Sequence, residues 1–151
     1  MSNSEEEEIA RDYICFGNPD ATVVIVDSTC LERNLNLVYQ IMEITPNVIV
    51  CVNLLDEAKK KNIDINLSKL EEKLGVPVVG TIAKKKRTLR ILTQRIKEIS
   101  SGRIKTTPKL INYNEVIEES INEISKILKK ILPKEKHYLT RWISLKLIDG
   151  E

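Results

Sequence analysis

Three apolar runs rich in β-branched residues constrain the fold of this 151-residue chain more than any other feature. They predict strands over residues 21–27, 48–53 and 76–81. The first run is uninterrupted, which is typical of a strand buried on both faces of a parallel sheet. Pro77 near the start of the third run favours an edge position for that strand. Because helical segments separate the runs, the order predicts right-handed crossovers and an α/β fold.

Apolar spacing and stop signals predict six helices around these strands. In chain order they cover residues 5–16, 31–44, 67–74, 89–99, 116–132 and 138–148. Serine, glycine, threonine and proline predict a linker over residues 100–110. We therefore expect an α/β part over residues 1–99 and a helical segment over residues 111–151, the latter without strands.

Composition excludes several classes of protein. The three cysteines form no C-x-x-C pair and His137 is the single histidine, so we predict no disulfide framework and no metal site, and we expect all three cysteines to be core residues. No apolar run reaches the roughly 18 to 20 residues that span a bilayer, and the N-terminus is acidic. The sequence thus predicts a soluble, cytoplasmic chain.

Polar residues follow the three predicted strands, at the carboxyl edge where α/β sheets bind ligands. Asp27 follows the first strand, Asn53 and Asp56 the second, and Ala83 the third. A carboxylate at Asp56 can accept from both N1–H and the exocyclic amine of guanine, whereas adenine offers no such pair of donors. The Asn53 amide can donate toward N7 and the backbone N–H of Ala83 toward O6. This pattern predicts a guanine-binding site.

Two other interpretations of these residues stay open on spacing alone. Asn and Asp are common after strands as turn and capping residues, so N-x-x-D is a weak motif by itself. Asp27 at the end of a strand is more often a helix cap than a ligand or a phosphoacceptor, and a phosphoacceptor would want further acidic residues beside it to hold Mg²⁺.

Several strings in the chain resemble the ferrous iron transport protein B (FeoB) family. The most specific is Val26-Asp27-Ser28-x-x-Leu31-Glu32-Arg33-Asn34-Leu35, and the others agree with it in order. The other strings cover residues 8–14, 53–56, 74–79 and 141–147. The resemblance implies a partial P-loop-GTPase-like parallel sheet of about three strands with flanking helices. It corresponds to the second half of that family's cytoplasmic GTP-binding domain, followed by the helical domain.

The resemblance also implies what the chain lacks. No G-x-x-x-x-G-K-[ST] phosphate loop and no D-x-x-G switch occur in the 151 residues. Leu54 stands where many GTPases have lysine, although the resembled family tolerates an aliphatic side chain there. Ile82 stands where a serine usually precedes Ala83, and Lys84–Arg87 where a glycine is usual. We therefore expect a truncated FeoB-like fragment with a degraded guanine motif. It would bind GTP or GDP weakly, contain no catalytic residues and not hydrolyse GTP alone.

Two alternatives come from different classes of function. Residues 81–110 carry 10 basic groups and 1 acidic group, which would suit a nucleic-acid-binding module, although no aromatic residue is present there for base stacking. The cations concerned are Lys84, Lys85, Lys86, Arg87, Arg90, Arg95 and Lys97. Alternatively, an unpaired edge at the strand over residues 21–27 could dock on an intact G domain or cause self-association. The expected partners are an N-terminal G-domain half or the FeoB transporter, which would place the chain at the inner face of the membrane.

Overall fold

The computed structural model describes residues 5–150, and within this range three strands form one parallel sheet. They are β1 (Thr22–Asp27), β2 (Val48–Asn53) and β3 (Val78–Gly80), in the order β1-β2-β3. Asp27 pairs with Asn53 and Val52 with Gly80 in the two registers. The predicted α/β class, the parallel pairing and the adjacency of the second and third strands are confirmed.

Seven α-helices occur in the described residues. They are α1 (Glu5–Phe16), α2 (Leu31–Ile44), α3 (Leu55–Lys60), α4 (Leu67–Leu74), α5 (Lys86–Ser100), α6 (Glu115–Ile131) and α7 (Thr140–Asp149). Short 3-10 helices occupy Ser28–Cys30 and Lys134–Leu139, so the predicted helix over residues 138–148 begins as a 3-10 turn. The sequence did not predict α3, which lies in a stretch without a clear apolar period. No helix within residues 5–150 is both long and apolar enough to cross a membrane.

The third strand is shorter than its apolar run predicts. Pro77 has no N–H, although its carbonyl still accepts from the Val50 amide at 2.9 Å. The amide of Val78 donates at 2.8 Å to the Glu71 carboxylate on α4. Regular pairing is therefore confined to three residues, at the sheet edge that Pro77 indicated.

β1 is not buried on both faces, contrary to the prediction. Val24 and Val26 are buried against α2, but Ile25 between them is 63% exposed. The opposite face of the sheet is covered by α5, which packs against Ile49 at the centre. Because β1 is an edge strand, the described helices leave the outer part of this face open at Ile25.

The helical segment packs against one end of the α/β part. Cys15 of α1, Ile44 of α2 and Leu139 form a buried apolar cluster, to which Tyr138 and Trp142 add partly buried rings. The phenol oxygen of Tyr138 lies 3.3 Å from the carbonyl of Cys15. These contacts place the 3-10 helix Lys134–Leu139 and α7 beside α1 and α2, away from the carboxyl edge of the sheet.

The stretch predicted as a linker is irregular in structure but is not a free tether. Its Thr107 amide donates to the Gly75 carbonyl at 3.1 Å, and its Lys109 amide donates to the Leu74 carbonyl at 2.8 Å. Gly75 ends α4 with a φ of 71°. These bonds hold the stretch along α4, and the division into residues 1–99, 100–110 and 111–151 stays a prediction.

The three cysteines differ in environment. Cys15 and Cys51 are buried as expected, but Cys30 is exposed at the start of α2. The Asn34 side-chain amide donates to the Cys30 carbonyl at 2.8 Å. The prediction that all three are core residues is wrong for Cys30, because the 3-10 turn before α2 carries it out of the core.

Candidate guanine-binding site

The parallel registers bring the predicted site residues to one edge of the sheet. Asn53 is the last residue of β2, and Asp56 lies three residues later in the first turn of α3. Ala83 lies three residues beyond the end of β3, in the loop before α5. Since β2 and β3 are adjacent and parallel, the loops that carry these residues are neighbours.

Asn53 ties the two loops together. Its Oδ1 accepts a hydrogen bond from Thr81 Oγ1 at 3.0 Å. The Leu55 amide is 3.4 Å from the Thr81 carbonyl, which adds a backbone contact between the same loops. Within residues 5–150 the Asn53 side-chain nitrogen has no partner, so it can donate to a ligand.

A buried hydroxyl from β1's carboxyl end sets the shape of the β2–α3 loop. Leu54 has a φ of 61°, in the left-handed region that side chains other than glycine rarely adopt. Ser28 is 1% exposed and its Oγ donates to the Leu54 carbonyl at 2.7 Å. This bond holds the turn that starts α3 and thereby positions Asp56.

Asp56 offers an open acceptor at this edge. Its side chain is half-buried, and the carboxylate forms no hydrogen bond to the described part of the chain. The first turn of a helix favours a carboxylate because of the helix dipole. Both oxygens are therefore available for a pair of ligand donors.

Ala83 offers an open donor in the facing loop. The Lys85 amide donates to the Ile82 carbonyl at 2.7 Å, which places Ala83 inside a tight turn. Thr88 Oγ1 braces this turn, since it lies 3.1 Å from the Ile82 amide and 2.8 Å from the Lys85 carbonyl. Ala83 itself is exposed, and its amide donates to no backbone carbonyl within residues 5–150.

The Asp27 carboxylate is not free to bind a ligand beside Asn53, Asp56 and Ala83, because Thr29 occupies it. Its Oδ1 accepts from the Thr29 amide at 2.7 Å and from Thr29 Oγ1 at 2.8 Å. The bond from the Thr29 backbone, followed by that from its hydroxyl, lowers the pKa of Asp27. The helix-cap interpretation of Asp27 is confirmed.

The structural role of Ser28 was not predicted, although Ser28 lies inside the most specific string of the chain. The bond between Thr81 and Asn53 could not be deduced from spacing either. The only sequence signal for Ser28 was its position directly after a predicted strand.

Two family models match this chain. Residues 1–96 match the family model described as ferrous iron transport protein B, and residues 113–151 match the model of the FeoB cytosolic helical domain. The chain belongs to the FeoB family. The two matches leave out only residues 97–112, which contain the end of α5 and most of the irregular stretch.

A curated FeoB relative and two solved structures are similar over nearly the whole chain. The Fe(2+) transporter FeoB of Escherichia coli K12 is 30% identical over 148 residues, which are 98% of this chain and 18% of that protein. The cytosolic domain of T. maritima FeoB in its GMPPNP form is 29% identical with a TM-score of 0.87, covering 99% of this chain and 58% of that one. A mutant of S. thermophilus NFeoB bound to mGDP is 30% identical with a TM-score of 0.85, covering 99% and 56%.

The coverage is unequal between this chain and its relatives. The chain spans 18% of the length of the curated relative and little more than half of each solved cytosolic chain. Membership of the FeoB family and the fold of the cytosolic domain are thus shown for the residues in hand. The activity of the whole transporters is a property of those longer proteins.

Proposed function

We propose that this chain forms the guanine-recognising and helical parts of a FeoB-type GTP-binding domain that serves ferrous iron transport on the cytoplasmic side of a membrane. Asn53, Asp56 and Ala83 recognise the base. The observation that carries this proposal is the hydrogen bond between Asn53 and Thr81, which joins the two loops that present the Asp56 carboxylate and the Ala83 amide. The similar T. maritima structure in a GMPPNP form supports a guanine nucleotide as ligand.

Recognition of the base is weak in this proposal. Leu54 and Ile82 depart from the residues usual in GTPases, so the motif is a degraded one. The 151 residues contain no phosphate-loop string, and the base must supply the affinity alone. We expect a Kd for GDP poorer than about 100 μM.

The lack of a phosphate-loop string in these 151 residues also decides what we expect of GTP hydrolysis. A phosphate loop and Mg²⁺ supply most of the electrostatic stabilisation in phosphoryl transfer. We expect the 151-residue polypeptide by itself to hydrolyse no GTP above background. A segment that binds phosphate, whether in the same protein or in another, would complete the site.

Base specificity tests the proposal at Asp56. An Asp56→Asn change replaces one acceptor by a donor, which suits the C2 carbonyl of xanthine instead of the amine of guanine. Saturation-transfer NMR should show guanosine contacting the unmodified chain and xanthosine contacting the variant. Asp20→Asn, an exposed change near the amino edge of the sheet, is the matched control. Equal behaviour of Asp56→Asn and Asp20→Asn toward both nucleosides would refute the guanine site.

A second candidate function is docking on another G-domain segment. β1 is an edge strand of the described sheet, and Ile25 on its outer face is 63% exposed. An edge strand with an apolar outer residue favours pairing with a further strand. Adding a separately expressed FeoB segment that contains the phosphate loop should give a one-to-one complex in light scattering, with tighter binding of GDP. A chain that ignores the added segment would exclude this function.

A further inference from the structure

The exposed surface that begins next to Ala83 carries a run of cations without a structural role. Lys84, Lys85, Lys86 and Arg87 are all exposed. None of them forms an ion pair with the described part of the chain. Residues 81–110 contain 10 basic residues and Glu98 as the one acidic residue, so the charge is not neutralised nearby.

The four cations Lys84–Arg87 lie at the N-terminus of α5, where their charge destabilises the helix. Cations at the N-terminus of a helix oppose the helix dipole. The first turn of α5 contains no acidic residue, and Lys85 at its N-cap forms no side-chain capping bond. Stability therefore does not explain the run, and a binding role would.

The charge continues along one face of α5. Arg90, Gln94 and Lys97 follow Arg87 at helical spacing and are exposed. Ile91 lies among them and is 49% exposed. We call this surface the basic face; it consists of Lys84, Lys85, Lys86, Arg87, Arg90, Ile91 and Lys97.

We propose that the basic face docks on the anionic phospholipid headgroups of a membrane. Clustered Lys and Arg side chains are attracted to anionic leaflets, and the exposed Ile91 among them can enter the headgroup boundary. Nucleic acid shares the phosphate chemistry, but residues 81–110 contain no aromatic residue on which a base could stack. This inference is independent of guanine binding.

Vesicle cosedimentation of the full chain tests the docking. Mixed phosphatidylglycerol and phosphatidylcholine vesicles should bind the chain at low salt, and binding should fall as salt rises. Pure phosphatidylcholine vesicles should bind it far more weakly. Equal binding to both kinds of vesicle, or no binding to either, would overturn the proposal.

A charge-matched pair of variants locates the contact. Each cation near an anionic leaflet contributes about a fivefold factor, so neutralising four should weaken binding about 100-fold or more. The test variant is Lys84→Gln, Lys85→Gln, Lys86→Gln and Arg87→Gln. The control neutralises four exposed lysines of the helical segment, Lys126→Gln, Lys129→Gln, Lys130→Gln and Lys134→Gln. If both variants lost vesicle binding equally, net charge alone would explain the effect. That result would overturn the assignment of the contact to the basic face.

The Ile91→Ser variant distinguishes membrane docking from nucleic-acid binding at the basic face. The side chain is half-exposed, so circular dichroism should show an unchanged fold. We expect weaker binding to anionic vesicles, because a membrane contact includes the apolar residue. Duplex DNA and single-stranded RNA serve as competitors. If either binds more tightly than the vesicles and Ile91→Ser leaves vesicle binding unchanged, the partner is nucleic acid and the membrane proposal fails.

Discussion

At the scale of single residues, Ser28 and Leu54 form the contact on which the candidate site depends most. The Ser28 hydroxyl is buried and donates to the Leu54 carbonyl at 2.7 Å, across a separation of 26 residues. Leu54 holds a left-handed conformation that costs about 1 kcal/mol or more for a side chain of this type. The hydrogen bond offsets part of that cost and keeps Asp56 in the first turn of α3.

Removing the Ser28 hydroxyl should therefore weaken both the fold and the site. We expect Ser28→Ala to lower the free energy of unfolding by about 1 kcal/mol, because the hydrogen bond of a buried hydroxyl is lost, while the Leu54 carbonyl keeps its bonds from the Glu57 and Ala58 amides. Urea denaturation measures the loss. Ser100→Ala removes an exposed hydroxyl with a local bond and is the control, with little change expected. Equal effects of the two changes would contradict the role given to Ser28.

Arg141 makes the second contact that matters at this scale. Its guanidinium donates to Glu118 at 2.8 Å and to Glu43 at 3.0 Å, which links α7 to α6 and α2. The bond from Arg141 to Glu118, together with one from the Tyr113 amide, lowers the pKa of Glu118 from 4.5 to about 2. Burial instead raises the pKa of Glu43, whose Oε1 has no hydrogen-bond partner in residues 5–150.

The pH dependence of stability follows from the sign of the Glu118 shift. Because the folded-state pKa is lowered, the ion pair stabilises the fold above about pH 4.5, and this contribution is lost as the pH falls toward 2. Protonation of Glu43 works in the opposite direction, since its pKa is raised. Glu118→Gln should thus flatten the fall in unfolding free energy across this range. Glu119→Gln, an exposed change on the same helix, should leave the fall intact, and a flattening by both would contradict the argument.

At the scale of elements, the end of α4 fixes how the irregular stretch is attached. Gly75 has a φ of 71°, and a Cβ at this position would collide with the Thr107 carbonyl oxygen. The close approach allows the hydrogen bonds of Thr107 and Lys109 to the end of the helix. Glycine is therefore required here for its conformation and for the space it leaves.

A pair of glycine substitutions separates these two requirements. Gly102 has the same φ of 71°, but a Cβ there would meet no atom within 4 Å. We expect Gly102→Ala to cost about 1 kcal/mol for conformation alone, and Gly75→Ala to cost about 2 to 4 kcal/mol because the backbone must also move. Thermal and urea unfolding compare the two. Equal losses would show that the stretch is not held closely at Gly75.

At the scale of the whole molecule, the outer face of β1 is the exposed part of the sheet. Val24 is unsuitable for a test of this edge, because it is buried in the core. Ile25 is the suitable position, since it points away from that core and is 63% exposed. A lysine at an exposed edge position opposes pairing with another strand.

Self-association through this edge should respond to Ile25→Lys. We expect the unmodified chain to self-associate, and the variant to shift toward monomer with an unchanged circular dichroism spectrum. Sedimentation velocity measures the distribution of species. Ile127→Lys introduces the same charge at a residue of α6 that is 58% exposed and serves as the control. An unmodified chain that is a monodisperse monomer would contradict the expected self-association.

Local sequence patterns determined the secondary structure and the fold class of this chain. β-branched runs and apolar spacing predicted β1, β2 and the main helices, because these patterns depend on neighbours a few residues apart. The guanine motif and the string after β1 led to the correct family by resemblance. Asn53, Asp56 and Ala83 could be placed at one edge of the sheet because residues that follow parallel strands share that edge, and their role in guanine binding stays a prediction.

Only the tertiary structure decided the features that rest on distant contacts. α3 begins directly after a left-handed Leu54, whose carbonyl accepts from Ser28, and Cys30 is exposed by the turn before α2. Ile25 is open because no described helix covers the outer edge of β1, although its apolar run matches that of a buried strand. Each outcome depends on groups that are far apart in sequence or on which surfaces pack together. Hydrophobic periodicity depends only on residues a few positions apart, so it does not show which distant groups come into contact.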